Sequence, residues 1–187
     1  MDETLMIEKL AELRDAQLEV WPLARANYES LGFSERRSFR IGALEGALQF
    51  NPARKVSTGA PTDAAAIRQR PCFLCGSNRP AEQTTETIVA GWDFLVNPYP
   101  IFPLHFTIAS VRHVPQGDIP IEMASMAERL PGMTVFFNGA HAGASAPDHL
   151  HCQAVRTAEL PLMRYLEDGG DIAALPFQVY YDIITPD

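Results

Sequence analysis

Residues 149–155 read His-Leu-His-Cys-Gln-Ala-Val, and this short alternation constrains the fold more than any other stretch. In an extended strand successive side chains leave opposite faces, so His149, His151 and Gln153 share one side while Leu150, Cys152 and Ala154 share the other. A half-buried strand suits both rows, with the apolar set turned to a core, and a slip of one residue would bury two imidazoles and an amide in its place. The segment before it, "NGAHAGASAPD", is rich in small residues and reads as a turn, and "MTVFFNG" ahead of the turn reads as the partner strand.

The other segments supply helices and further strands. Leu5, Leu10, Leu13, Leu18 and Trp21 recur at helical spacing until Pro22, which predicts one helix up to that point and a second starting there, a packing appendage over residues 1–37. "SFRIGALEGALQF" holds two short apolar runs around Glu45-Gly46 and predicts a hairpin near residues 39–50. Phe94–Asn97 and Leu104–Ser110 are the next expected strands, joined by an irregular link that Pro98, Pro100 and Pro103 hold extended. Ile121, Met123, Met126, Ala127 and Leu130 predict a helix near 119–130, and "LPFQVYYDIITPD" reads as a last strand. These elements are expected to form one domain over residues 38–187. At 187 residues the chain is long enough to bury a substantial core.

Composition removes several functions. With 15 Lys and Arg against 23 Asp and Glu, the net charge of −8 argues against a general nucleic-acid binder. No apolar run is long enough to span a bilayer, and the charged first residues do not form a signal peptide, so a cytoplasmic protein is expected. Cys72, Cys75 and Cys152 do not make a disulfide framework; reduced thiols or a metal site fit better.

Three groups of residues could carry chemistry. Two imidazoles and an amide on one strand face, beside a turn whose backbone N–H groups can gather round an anion, suit a phosphate, since neutral imidazole attacks phosphorus and an amide N–H can stabilise the growing charge. The same spacing also fits polar residues on an exposed sheet face. Cys72-x-x-Cys75 can place two thiolates on one tetrahedral zinc, and it fits equally a pair of buried small residues. Arg54, Lys55, Arg79 and Arg112 flank these motifs and are the local cations that an anionic substrate would need. His105 is expected to bond backbone beside the proline-rich link.

"GASAPDHLHCQA" resembles the His-x-His-x-Gln strand of the histidine-triad superfamily, in its transferase branch of galactose-1-phosphate uridylyltransferases, GDP-hexose phosphorylases and diadenosine tetraphosphate phosphorylases. "VNPYPIFPLHFTIASVRHVPQ" and "CFLCGSNRP" resemble two further segments of that branch, in the same order. The resemblance implies a HIT-like α+β fold, a mainly antiparallel sheet with flanking helices, and nucleotidyl transfer or phosphorolysis of a nucleotide-sugar or dinucleotide polyphosphate, through a nucleotidyl-histidine, with phosphate or a sugar phosphate as acceptor. It makes His151 the nucleophile, Gln153 its phosphate-side helper and His149 an orienting residue or metal ligand. It adds His113 and His149 to Cys72 and Cys75 as ligands of a structural zinc, with no organic cofactor. Asn97 would meet the ribose, Arg54 and Arg79 the phosphates, and Gly143 and Ser145 the anion at the turn. Many of the long transferases carry two related halves where this chain supplies one. It could be a single-domain relative, a homodimer completing its site in trans, or part of a longer protein. The alternative is an inactive module that keeps nucleotide or zinc binding.

Overall fold

In a computed structural model, which describes residues 2–55, 59, 61 and 63–179, the chain folds around a five-stranded antiparallel sheet. Its strands are β3 (Thr85–Glu86), β4 (Trp92–Val96), β5 (His105–Ser110), β6 (Met133–Phe136) and β7 (His151–Arg156), in the order β3-β4-β5-β7-β6. β5 therefore pairs with β7, from which the 40-residue interval between Ser110 and His151 separates it in sequence, and β6 joins the far edge. The register sets Thr107 opposite Gln153 and Ala109 opposite His151.

That register sorts the two faces. Phe94, Val96, Phe106, Ile108, Cys152 and Ala154 form the core face, where the Phe94 and Phe106 rings stack with centroids 4.6 Å apart. Two helices cover it: α1 (Glu3–Val20) through Met6 and Leu10, and α4 (Pro120–Arg129) through Met126, followed by Leu130. Asp2 starts α1 by accepting from the Leu5 N–H at 2.9 Å, and Pro22 opens α2 (Pro22–Glu29) where its missing N–H is not needed. The N-terminal segment thus packs into the core. Two of its residues are part of it, and truncating a fully buried leucine such as Leu10 removes about 2–5 kcal/mol.

The proline-rich link 97–104 depends on this segment in a second way. Several of its carbonyls receive side-chain donors: Asn27 Nδ2 to Pro98 at 2.8 Å, Arg14 Nη1 to Pro103 at 3.0 Å, Gln49 Nε2 to Ile101 at 3.3 Å, and Arg54 to Tyr99. The Tyr28 hydroxyl donates to the His105 carbonyl where the link rejoins the sheet. Backbone groups that cannot pair in a ladder must find other partners, and here α1, α2, the hairpin and the turn that follows it provide them.

The hairpin pairs β1 (Glu35–Ile41) with β2 (Leu44–Phe50) and turns at Gly42-Ala43, not at Glu45-Gly46 as the apolar runs suggested. Gly42 takes φ +60°, which glycine adopts without strain, while Gly46 sits inside β2 because the Phe39 ring lies where its Cβ would be. α3 (Ala64–Gln69) leads to the cysteine segment, and α5 (Pro161–Glu167) packs on β2. Residues 175–179 of the expected last strand are not extended into a sheet, and the rest of it lies outside the described residues. Among the described residues no helix is long and apolar enough to cross a membrane.

Candidate active site and metal centre

The face of the sheet opposite the core carries the candidate residues. His151 stands there near the start of β7, 5% exposed, with its Nδ1 at 2.7 Å from the His149 carbonyl. A carbonyl only accepts, so Nδ1 bears the proton and Nε2 keeps its lone pair. Burial, the largest influence, lowers the pKa of this imidazole. Its backbone is gripped by a residue that sequence reasoning missed. Gln116 accepts the His151 N–H at 2.9 Å on Oε1 and donates through Nε2 to the carbonyls of His151 and Asn138, at 2.9 and 2.8 Å. The β6–β7 ladder runs only as far as Phe136 and Gln153, so one carboxamide, with a peptide's donor and acceptor, supplies the bonds where the two strands diverge.

The four nominated ligands converge. Their candidate ligand atoms, from Cys72, Cys75, His113 and His149, all lie within 4.8 Å of one another. His149 Nδ1 is 3.3 Å from the Cys72 sulfur and 3.6 Å from that of Cys75, and His113 Nδ1 is 3.2 Å from Cys75. Metal–ligand lengths of about 2.0–2.3 Å in a tetrahedron give ligand–ligand edges of about 3.3–3.8 Å, which these separations approach. The tautomer fits as well. His149, wholly buried, donates Nε2–H to the Ser110 carbonyl at 2.8 Å, which leaves Nδ1 bare and facing the sulfurs. Burial raises the Cys72 thiol above its usual pKa and lowers that of His149. The cluster could hold a metal ion, and it sits two residues from His151.

The cysteine turn is fastened to the sheet by packing and by charge. Cys72 and Leu74 pack with Leu95, Ala109 and Ala146 in a small second core. Arg79, expected on a phosphate, directs its guanidinium at this turn: Nε donates to the Leu74 carbonyl at 2.9 Å and Nη1 pairs with Asp93 of β4 at 2.7 Å, with only 5% of the side chain exposed. Arg54 reaches the Tyr99 carbonyl of the proline link, and burial lowers its pKa. Lys55 and Arg112 are exposed. Among the described residues Arg70, which no motif singled out, is a cation that touches the small-residue turn. Its Nη2 meets Asp148 at 3.1 Å and the Ser145 carbonyl at 3.3 Å, its plane lies over Phe73, and its Nη1 is buried without a partner.

Gly143 takes φ +92°, a conformation that bends the turn and that other residues seldom adopt. Ser145 is half-buried, and Ala144 and Ala146 are buried. Asn97 donates from Nδ2 to Thr107 at 3.0 Å and accepts the Tyr99 N–H at 2.9 Å, so it folds back the start of the proline link. Gln153 adjoins this pair through Thr107 and bonds His105, its Oε1 lying 2.8 Å from the His105 Nε2.

Comparison with known proteins bears on the fold. A crystal structure of yeast Ap4A phosphorylase Apa2 in complex with Ap4A is similar with a TM-score of 0.50, at 16% identity, over 80% of this chain and 56% of that one. The same yeast enzyme in complex with AMP is similar at 17% identity with a TM-score of 0.49, over 81% of this chain and 56% of that one. The chain thus spans about half the length of the structures it matches, and shares with the first an α+β fold of antiparallel strands and flanking helices. No curated protein matches the sequence. A family model matches residues 13–156, a span that holds all five strands, the four clustered ligands, His151 and Gln153, and the chain belongs to that family, described as Domain of unknown function (DUF4922).

Proposed function

We propose that this protein is a nucleotidyltransferase or nucleotide phosphorylase of the histidine-triad superfamily, working through a nucleotidyl-histidine at His151. The observation that carries the reading is the buried His151 with Nδ1–H on the His149 carbonyl, which leaves Nε2 as a nucleophile beside the Gln153 amide and the small-residue turn. In the first half-reaction the Nε2 lone pair forms a bond to the α-phosphorus of a nucleotide-sugar or dinucleotide polyphosphate. The P–O bond to the departing phosphate breaks, and its electron pair leaves on that oxygen. The positive charge that the ring gains rests against the His149 carbonyl through Nδ1–H. In the second half-reaction an oxygen of phosphate or of a sugar phosphate bonds to phosphorus, and the N–P pair returns to Nε2.

Within this reading the Gln153 amide and backbone N–H groups near Gly143 and Ser145 receive the charge on the phosphoryl oxygens. Arg70, whose guanidinium already reaches that turn and keeps a buried donor in reserve, takes the phosphate role expected of Arg54 and Arg79. Asn97 remains the candidate for the ribose. Cys72, Cys75, His113 and His149 would hold zinc as a structural ion, locking the cysteine turn onto the residue that precedes the nucleophile by two. The likeness to Ap4A phosphorylase supports dinucleotide polyphosphates as the first substrates to try.

The test is covalent capture. Protein incubated with Ap4A, GDP-sugars and UDP-sugars labelled at the α-phosphate should acquire acid-labile label on His151, discharged by inorganic phosphate. Label that persists in His151→Asn, or native protein that takes none from any of the three, overturns the proposal.

A further inference from the structure

We propose that His105 is a positioning residue that decides which end of the Gln153 carboxamide faces the reacting phosphate, an inference that rests on the nucleotidyl-transfer reading. A carboxamide is two-ended: turned one way it offers an anion two N–H donors, turned the other way it offers a carbonyl oxygen that repels it. The strand places Gln153 but does not choose between these orientations, so a neighbour must.

The choice follows from a chain of three contacts. The backbone N–H of Ile101 points at His105 Nδ1 from 3.1 Å, and an N–H only donates, so Nδ1 must be bare. A neutral imidazole with a bare Nδ1 carries its proton on Nε2. That N–H meets Gln153 Oε1 at 2.8 Å, and the opposite rotamer would set an amide NH2 against it. The oxygen of Gln153 is therefore held on His105, and no described residue accepts from the Gln153 Nε2. His105 is 1% exposed, and burial pushes its pKa down to about 4, so the neutral form persists at physiological pH. The Ile101 amide in turn is held by the link between Pro100 and Pro103, whose Ile101 carbonyl Gln49 engages. The prolines thus act, through one backbone N–H and one tautomer, on the polarity that Gln153 presents.

Two side chains separate this role from simple packing. In His105→Asn the shorter amide can still accept the Ile101 N–H but cannot reach Gln153; in His105→Gln the terminal NH2 lies near the position of Nε2 and can donate to it. With Ap4A labelled at the α-phosphate, His105→Asn should slow labelling at saturating Ap4A by about 10–100-fold, up to the roughly 100-fold that marks the lower end for losing an oriented donor outright, because the Gln153 amide is freed and not removed, while the half-saturating concentration changes less than about threefold. His105→Gln should recover most of the rate, and His105→Asn should add nothing in a Gln153→Ala background. A native rate in His105→Asn, no recovery in His105→Gln, or an equal loss in both backgrounds overturns the role. Nitrogen NMR of histidine-labelled native protein reads the tautomer without any substitution: protonated Nε2 and bare Nδ1 are expected for His105, and the reverse overturns the argument. Native protein that takes label while His105→Asn is unaffected refutes this role alone. Native protein without label refutes the transfer reading, and this role with it.

Discussion

The Arg79–Asp93 pair fastens the cysteine turn to β4, and its removal should destabilise the whole domain. Arg79 is almost wholly buried and Asp93 is 20% exposed, with 2.7 Å between Nη1 and the carboxylate. In Asp93→Ala the guanidinium stays beneath Leu74, to whose carbonyl it donates, with its charge uncompensated. Leaving one member of a buried pair without its partner costs about 3–5 kcal/mol. That is a large part of the roughly 5–15 kcal/mol that holds a domain together. For a chain of this size each kcal/mol moves the midpoint by about 2–4 °C, so a fall of roughly 6–20 °C is expected in a thermal melt followed by circular dichroism. Glu45→Ala is the internal control: it breaks an ion pair with Arg40 on the open hairpin, where solvent screens both groups, and should leave the midpoint unchanged. The double substitution Arg79→Met with Asp93→Ala should lose less than the sum of the two singles, because it removes the stranded charge. An Asp93→Ala midpoint equal to that of Glu45→Ala would show that the pair is not desolvated, and the reasoning would fail.

Three further outcomes are expected. Protein purified without chelator should carry one zinc per chain by mass spectrometry, and Cys72→Ser should abolish it; metal-free folded protein refutes the site. Gln116→Ala should lower the rate of histidine labelling at saturating nucleotide by about 10-fold or more by freeing the His151 peptide, and a labelling rate equal to that of native protein would show that the Gln116 bonds do not set the nucleophile. His105 gives a pH signature. Its folded pKa of about 4 lies below the unfolded value of about 6.5, so the unfolded chain binds more protons between those limits and stability falls as pH drops from 6.5 to 4. The full window amounts to about 3 kcal/mol, and urea midpoints of the native protein should decline from pH 7 to pH 5 more steeply than those of His105→Asn; parallel slopes would refute the assignment.

Much of the fold was legible because it rests on local periodicity. The alternation at 149–155 gave the faces of β7, and Pro22 gave the break between α1 and α2. The hairpin turn was misplaced because both Gly42 and Gly46 offered a turn, and the Phe39 ring that occupies the space above Gly46 belongs to the opposite strand. The metal cluster was named from its four residues, but only through a resemblance, since nothing in the spacing of Cys72 and Cys75 points to His113 or His149. The pairing of Arg79 with Asp93 was not foreseen, because an arginine beside a motif shows its charge and not its partner. Gln116 and the second bond of His105 left no trace in sequence, because the first depends on where β6 and β7 part and the second on the pairing of β5 with β7. Given the register of Thr107 opposite Gln153, the proximity of His105 follows at once. Without it, His105 shows only that it follows three prolines.

The four clustered ligands also fix when the site can exist during folding. The Cys75–His113 and Cys72–His149 contacts span 38 and 77 residues, so neither is a local knuckle that forms on its own. Because loop-closure entropy grows only with the logarithm of length, closing the larger loop costs merely about 0.6 kcal/mol more than the smaller. The steep requirement is instead topological: β5 and β7 must pair before Ser110 can orient His149. An ion held there would close these loops as a staple does, and its escape would be timed by the opening of the β5–β7 ladder, not by fraying of the cysteine turn.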